Sequence, residues 1–183
     1  MPRATWRCST RCRTVHVPGH PDEVETLLRA AIPGRDRVYI RLSERANERA
    51  HPVGHGLVPI RRGQDATIIA VGPTLDVTVQ AVRDLDVTVL YCSTPRPLDP
   101  TGSLSAAARD VVIVEPYLEG TSMASLVDAL GPQPHRLLAI GVPRVECRKY
   151  GEALDHDVAH GLDAAGLRSR ILSFVGKDPA TLS

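Results

Sequence analysis

Aromatic side chains are scarce: one Trp, one Phe and four Tyr in 183 residues. A core has to be assembled from Val, Leu, Ile and Ala instead. Lysine is scarcer still, with Lys149 and Lys177 set against 20 Arg. That bias reads as GC-rich coding rather than as function. Neither sign of charge dominates, since 22 basic and 21 acidic residues leave a net charge of +1. This balance speaks against a nucleic-acid footprint and against a polybasic membrane anchor. No apolar run reaches the length of roughly 20 residues that a membrane helix needs. The opening stretch MPRATWRCSTRCRTVH has charge but lacks the apolar centre of a signal peptide. Cys8, Cys12, Cys92 and Cys147 include one C-x3-C pair and no second, which does not make a zinc ribbon. A reduced, cytoplasmic protein is the expectation. No P-loop, G-x-G-x-x-G, Ser-His-Asp elbow or Cys–His pair is present.

The length suits one domain, or one and part of another. A hydrophobic content of 43% is ordinary for a globular chain. Four short apolar runs dominate the middle: TIIAVG (67–72), DVTVLY (86–91), DVVIVE (110–115) and RLLAIG (136–141). They are rich in Val and Ile and nearly continuous, which predicts strands buried on both faces. Helical patterns alternate with them. One starts at Thr74 with Leu75, Val79, Val82 and Leu85 on its face. A second starts at Thr121 or Ser122 with Met123, Leu126, Val127 and Leu130, and Gly131-Pro132 ends it. A third starts at Asp163 with Leu167, Ile171, Phe174 and Val175. The alternation predicts an α/β fold with a mostly parallel sheet, flanking helices and right-handed crossovers.

A smaller unit precedes this block. PDEVETLLRAAIPG (21–34) predicts a helix with Val24, Leu27, Leu28 and Ala31 inward, and RVYIRLS (37–43) predicts a strand. ERANERAHPVGHG (44–56) is polar, with two Gly and a Pro, and reads as a linker. One helix and one strand cannot bury their apolar faces alone, so residues 15–43 read as a fragment of a second α/β domain.

Several residues invite chemistry. In HDVAH, His156 and His160 have the spacing of a zinc-hydrolase helix, but Asp157 replaces the usual glutamate and Gly161 follows at once. A short turn with local backbone hydrogen bonds is the expectation there. His51 and His55 are also four apart, with Pro52 and Gly54 between them to break a helix. GPTLD (72–76) follows a strand and opens a helix. It is either a tight turn or a place for a phosphate. Glu115 and Glu119 stand at a strand's carboxyl end, where α/β ligands lie. They are acid–base groups, solvated loop residues or a helix cap; spacing leaves all three open.

In order, RRGQDATIIAVGPTLDVTVQAV, STPRPLD, VIVEPYLEGTS, IGVPR and YGEALDHDVAHGLDAAGLRSRI resemble the C-terminal domain of transketolase-like enzymes dependent on thiamine diphosphate. The resemblance covers about residues 57–175, although Glu119-Gly120 stands where the family often has a glycine pair. VPGHPDEVETLL and VYIRLS resemble the last helix and strand of the family's pyrimidine-binding domain. The resemblance implies residues 15–43 as the tail of that domain, 44–56 as linker and 57–183 as the C-terminal domain. It further implies two-carbon ketol transfer between sugar phosphates by the intact enzyme, with thiamine diphosphate and Mg²⁺. The Gly-Asp-Gly…Asn motif for the diphosphate and Mg²⁺ is absent from this sequence, as is the region that carries the family's activating glutamate. The chain by itself is therefore expected to bind neither cofactor, to have no catalytic residues and to support the fold and a dimer. Its partner would be a second copy or a complementary transketolase-like chain, with no nucleic acid or membrane. Arg45, in SERAN, matches the family's substrate-phosphate arginine with a one-residue shift. Two other classes stay open: a stand-alone α/β binding or assembly module, and a metal-dependent hydrolase using His156 and His160.

Residues 1–14 match nothing in the family and lack apolar periodicity. GC-rich codons for Ala4 to Thr14, read from the last base of each codon, can spell Asp-Leu-Ala-Leu-Leu-x-Ala-Leu-Pro-Asp. That shifted peptide resembles the family's preceding helix. The expectation is an unstructured or misframed start, just upstream of a frameshift in a longer protein, with no role for Trp6, Cys8 or Cys12.

Overall fold

The computed structural model describes residues 13–54, 56–99, 102–145 and 151–176. The expectations for residues 1–12, His55 and Cys147 lie outside the described residues. The elements are β1 (Thr14–His16), α1 (Pro21–Ala31), β2 (Val38–Ile40), β3 (Val58–Arg61), β4 (Thr67–Val71), α2 (Leu75–Ala81), β5 (Thr88–Cys92), β6 (Asp110–Leu118), α3 (Met123–Leu130), β7 (Arg136–Val142), α4 (Ala153–His160) and α5 (Ala164–Val175).

A five-stranded sheet runs in the order β3-β5-β4-β6-β7. All four apolar runs are parallel strands in it, as their composition predicts. All five residues of β4 are buried, because β5 and β6 flank it and the chain covers both faces. Alternate residues divide between two cores. Ile68, Ala70, Val89, Val112, Val114 and Ile140 pack with α2 and α5. Ile69, Val71, Leu90, Val111 and Ile113 pack with α3 and Val17. The period of two in a strand sends neighbours to opposite faces, so a continuous Val/Ile run feeds both layers.

The fifth strand, β3, lies outside the sequence reading. It pairs antiparallel with β5 at the sheet edge, with a register shift between Pro59 and Arg61. A proline within VPIR masks the strand signal, and an edge is where a strand tolerates it. Arg61 fixes this edge by donating to the carbonyls of Val82, Arg83, Leu85 and Val87. The helix after β4 is shorter than its apolar spacing predicts and ends at Ala81. Thr74 stands at its start, yet its hydroxyl donates to the carbonyls of Val71 and Val114 rather than capping an N–H.

The N-terminal unit pairs β1 with β2 in parallel, Val15 opposite Tyr39. It docks on the main sheet through backbone hydrogen bonds from Val15 N–H to Arg96 O (2.8 Å) and from Val17 N–H to Ser93 O (2.7 Å). Gly72 permits this approach. Its φ is +57°, and a Cβ there would lie 2.6 Å from the Val17 carbonyl oxygen, so only glycine fits. The buried stripe of α1 differs from the expected one. Glu23 and Leu27 face inward, whereas Leu28 and Ile32 are 49% and 71% exposed.

Candidate functional site

β4 leads through α2 to β5 on one side, whereas β6 lies on the other side of β4. The carboxyl ends of β4 and β6 therefore form the switch point of the sheet, the usual ligand crevice of open α/β folds. A cavity of about 200 Å³ opens there, lined by Arg45, Pro73, Thr74, Val114, Pro116 and Asp157 among others. Arg45 Nη1 is ion-paired with Asp157 Oδ2, and both side chains are largely shielded. The geometry thus joins two sequence candidates that lie 112 residues apart. Burial raises the Asp157 carboxyl above its ordinary value, while Arg45, His160 and His156 pull it down.

HDVAH departs from the short turn its following glycine suggested. It occupies the whole second half of α4, an eight-residue helix. The reason is local: Glu152 and Asp155 form a reciprocal capping box, and Gly161 closes the helix in the left-handed region. His156 and His160 stack with ring centroids 6.4 Å apart. Among the described residues no group of three or more His, Cys, Asp or Glu is placed to hold a metal ion, so the zinc alternative finds no third ligand there.

Glu115 is neither a solvated loop residue nor a cap on the amides of α3 itself; it closes the turn that precedes that helix. The side chain is fully buried. Oε1 accepts from Gly120 N–H (2.5 Å) and Thr121 N–H (3.1 Å), and Oε2 from Ser122 N–H (3.0 Å). These amides form the turn ahead of α3, so the carboxyl fixes how the chain leaves β6 and enters that helix. Burial pushes the Glu115 carboxyl up to about 7, against the pull of Ser122, Gly120 and Thr121. Glu119 instead pairs with Arg170 of α5 at 2.7 Å.

The raised value has a consequence for stability. The folded form holds its proton more tightly than the unfolded chain, so this contribution is complete below about pH 4.5 and is lost as pH rises through about 7. Chemical denaturation should show the wild-type chain losing about 2–3 kcal/mol between pH 5 and pH 8 relative to Glu115→Gln. Parallel pH profiles of the two proteins would remove Glu115 as the titrating group.

The junction between the two sheets holds residues that the sequence reading passed over. Glu23 is 1% exposed. Its Oε2 accepts from Gly19 N–H (2.7 Å) and from the Tyr91 hydroxyl, and its Oε1 accepts from His51 N–H (2.9 Å). Gly19 N–H also reaches the Tyr91 hydroxyl oxygen at 2.9 Å. The His51 ring lies 5.2 Å from that of Tyr91. Asn47 is buried too, donating to the Gly72 carbonyl at 3.1 Å. A polar residue four before Leu27 on a helix stripe was the available signal for Glu23. Burial and the Glu23 charge raise the Tyr91 hydroxyl far above its ordinary value, so it acts as a donor.

No family model matches the sequence. Over 169 residues it is 48% identical to an uncharacterized protein of the fasciation locus of Rhodococcoides fascians, with 89% of this chain and 54% of that protein covered. It is 27% identical over 177 residues to a 1-deoxy-D-xylulose-5-phosphate synthase of Polaromonas sp., covering 27% of that protein. The chain thus spans about half the length of the first relative and about a quarter of the second. Among solved structures, a split-gene transketolase in an inactive β4 tetramer superposes with a TM-score of 0.71 at 17% identity, over 89% of this chain and 58% of that one. The transketolase of Campylobacter jejuni gives 0.60 at 14% identity, over 87% of this chain and 26% of that one. With its mixed sheet and flanking helices, the chain has a transketolase-like α/β fold.

Proposed function

We propose that the chain is the C-terminal portion of a transketolase-like enzyme and supports assembly rather than catalysing on its own. Residues 15–43 would be the tail of a pyrimidine-binding domain, 44–56 the linker and 57–183 the C-terminal domain. The observation that carries this reading is the second sheet, which has only two strands among the described residues. Its two strands have three residues each, and short parallel pairs are normally embedded in larger covered sheets. Arg41 N–H reaches back to His16 O at 2.8 Å. Strand alternation then turns the backbone groups of Val38 and Ile40 toward the open edge. Leu28, Ile32 and Leu42 are exposed on the same unit. A complementary chain, or a second copy, that adds strands there would cover them. The likeness to a split-gene transketolase supports such a division between polypeptides.

Thiamine diphosphate and Mg²⁺ do not fit the described residues. They offer no carboxylate cluster for the metal, and the amides leading into α3 are taken by Glu115. Arg45, at the switch point, is the residue we assign to a substrate phosphate in the completed enzyme, with Asp157 holding its guanidinium meanwhile.

The purified chain should neither bind thiamine diphosphate nor turn over a ketose phosphate. Mixed with a neighbouring-gene product that carries the diphosphate motif, it should form a complex that binds the cofactor and transfers ketol units. Cofactor binding by fluorescence titration and product formation against a blank check this. Turnover by the chain alone would refute this reading, and a complex without cofactor binding would favour the assembly-module alternative.

A further inference from the structure

A second cleft, of about 820 Å³, lies on the other face of the junction, between β1–β2 and the start of α3. Three guanidinium side chains line it: Arg41, Arg96 and Arg144. No Asp or Glu is among its described lining residues. Arg41 rests over the Tyr117 ring, 5.7 Å from its centroid. Among the described residues neither Arg41 nor Arg144 forms an ion pair. This contrasts with Arg29, Arg45, Arg136, Arg168 and Arg170, each of which has a carboxylate partner. The Ser125 hydroxyl adds a donor to the wall, whereas the Thr121 hydroxyl donates to the Leu118 carbonyl; Val15, Val17 and Tyr39 make the wall apolar. Glu115, behind this wall, directs both oxygens to backbone amides.

We propose that this cleft binds a small organic oxoanion, an apolar or ring-bearing body with a phosphate or carboxylate head. The volume falls in the range of small-molecule sites, which combine apolar walls with a few convergent polar groups. Guanidinium forks match the planar spread of oxygen acceptors on such heads, and a cation already seated on an aromatic face is held ready at little entropic cost. The amides leading into α3 are occupied by Glu115, so recognition falls to the arginines and the Ser125 hydroxyl. The Tyr39 and Tyr117 side chains give the body of the ligand its surface. The described lining residues all belong to this chain, so titration of the chain alone tests the cleft separately from the need for a complementary chain.

The test is calorimetric titration of the full chain, at fixed ionic strength, with phenyl phosphate, benzoate and inorganic phosphate. Phenyl phosphate or benzoate should bind, and the tighter of the two identifies the head group. Inorganic phosphate, which lacks the apolar body, should bind at least tenfold more weakly than the better of them. Arg41→Gln and Arg144→Gln should each weaken binding at least tenfold while the circular dichroism melt stays cooperative. Arg62→Gln, outside the cleft, should leave it unchanged. Failure of both organic ions to bind overturns the proposal. So does equal weakening by Arg62→Gln, which would mark a diffuse charge effect.

Discussion

Glu23→Ala is expected to destabilise the chain by about 3–5 kcal/mol, the scale for removing one partner from a buried, charge-assisted network. The residue is buried and accepts from three donors that belong to three segments: Gly19 before α1, Tyr91 on β5 and His51 in the polar connection. Alanine orphans the His51 amide and the Tyr91 hydroxyl, while the Gly19 amide keeps the Tyr91 oxygen. Each orphaned donor costs about 1–3 kcal/mol. The loss should also be local in character, because these donors span the contact between the two sheets. A cycle with Tyr91→Phe separates pairing from packing. The coupling between Glu23 and the Tyr91 hydroxyl should be about 1–3 kcal/mol. Urea denaturation of the four proteins measures it. A single-variant loss under about 1 kcal/mol would mean that Glu23 is solvated and the junction is open in solution.

Ile113→Ala should cost about 2–5 kcal/mol, the range for truncating a large aliphatic side chain in a closed core. Ile113 is fully buried in β6, between Ile69 of β4 and Ala139 of β7. Its side chain belongs to the layer with Leu126 and Leu130 of α3. With few aromatic residues to span gaps, neighbouring aliphatic chains are short and the cavity cannot close by rotation of one large ring. A loss below about 1 kcal/mol would contradict an interior position for β6. Ile113→Val, which removes one methylene, should fall between the two at about 0.5–1.5 kcal/mol.

The same strand shows how far local information reaches. Val111 to Val114 can be read as strand from residue type alone, since β-branched side chains suit a pleat covered on both faces. The four parallel strands and the α3 and α5 helices follow from such runs and from their stop signals. β3 was missed because Pro59 breaks its pattern and its one neighbour, β5, supplies the pairing that makes it a strand. The buried stripe of α1 is rotated from the one its apolar spacing predicts. Glu23 is inward only because Gly19, Tyr91 and His51 converge on it.

The candidate sites divide in the same way. HDVAH was legible as a histidine pair, and Arg45 only through the family resemblance. Their meeting through Asp157 depends on α4 crossing the carboxyl ends of β4 and β6. Glu115 was legible at a strand end, but its role was not. Three amides of the turn into α3 decide it, and a turn's amide directions are set by backbone angles that composition does not encode. The cleft of Arg41, Arg96 and Arg144 had no sequence signal, because its three arginines come from β2's end, the loop after β5 and the loop after β7. Local burial preference and helix-stop chemistry act within a few residues, so the sequence alone determined the strands β2 and β4 to β7 and the helices α1, α2, α3 and α5. Strand order, edge pairing and the choice of partner for each buried charge depend on segments 28 to 112 residues apart. Only the closed tertiary structure decides them, because such a contact exists only once the chain between its ends has been folded out of the way.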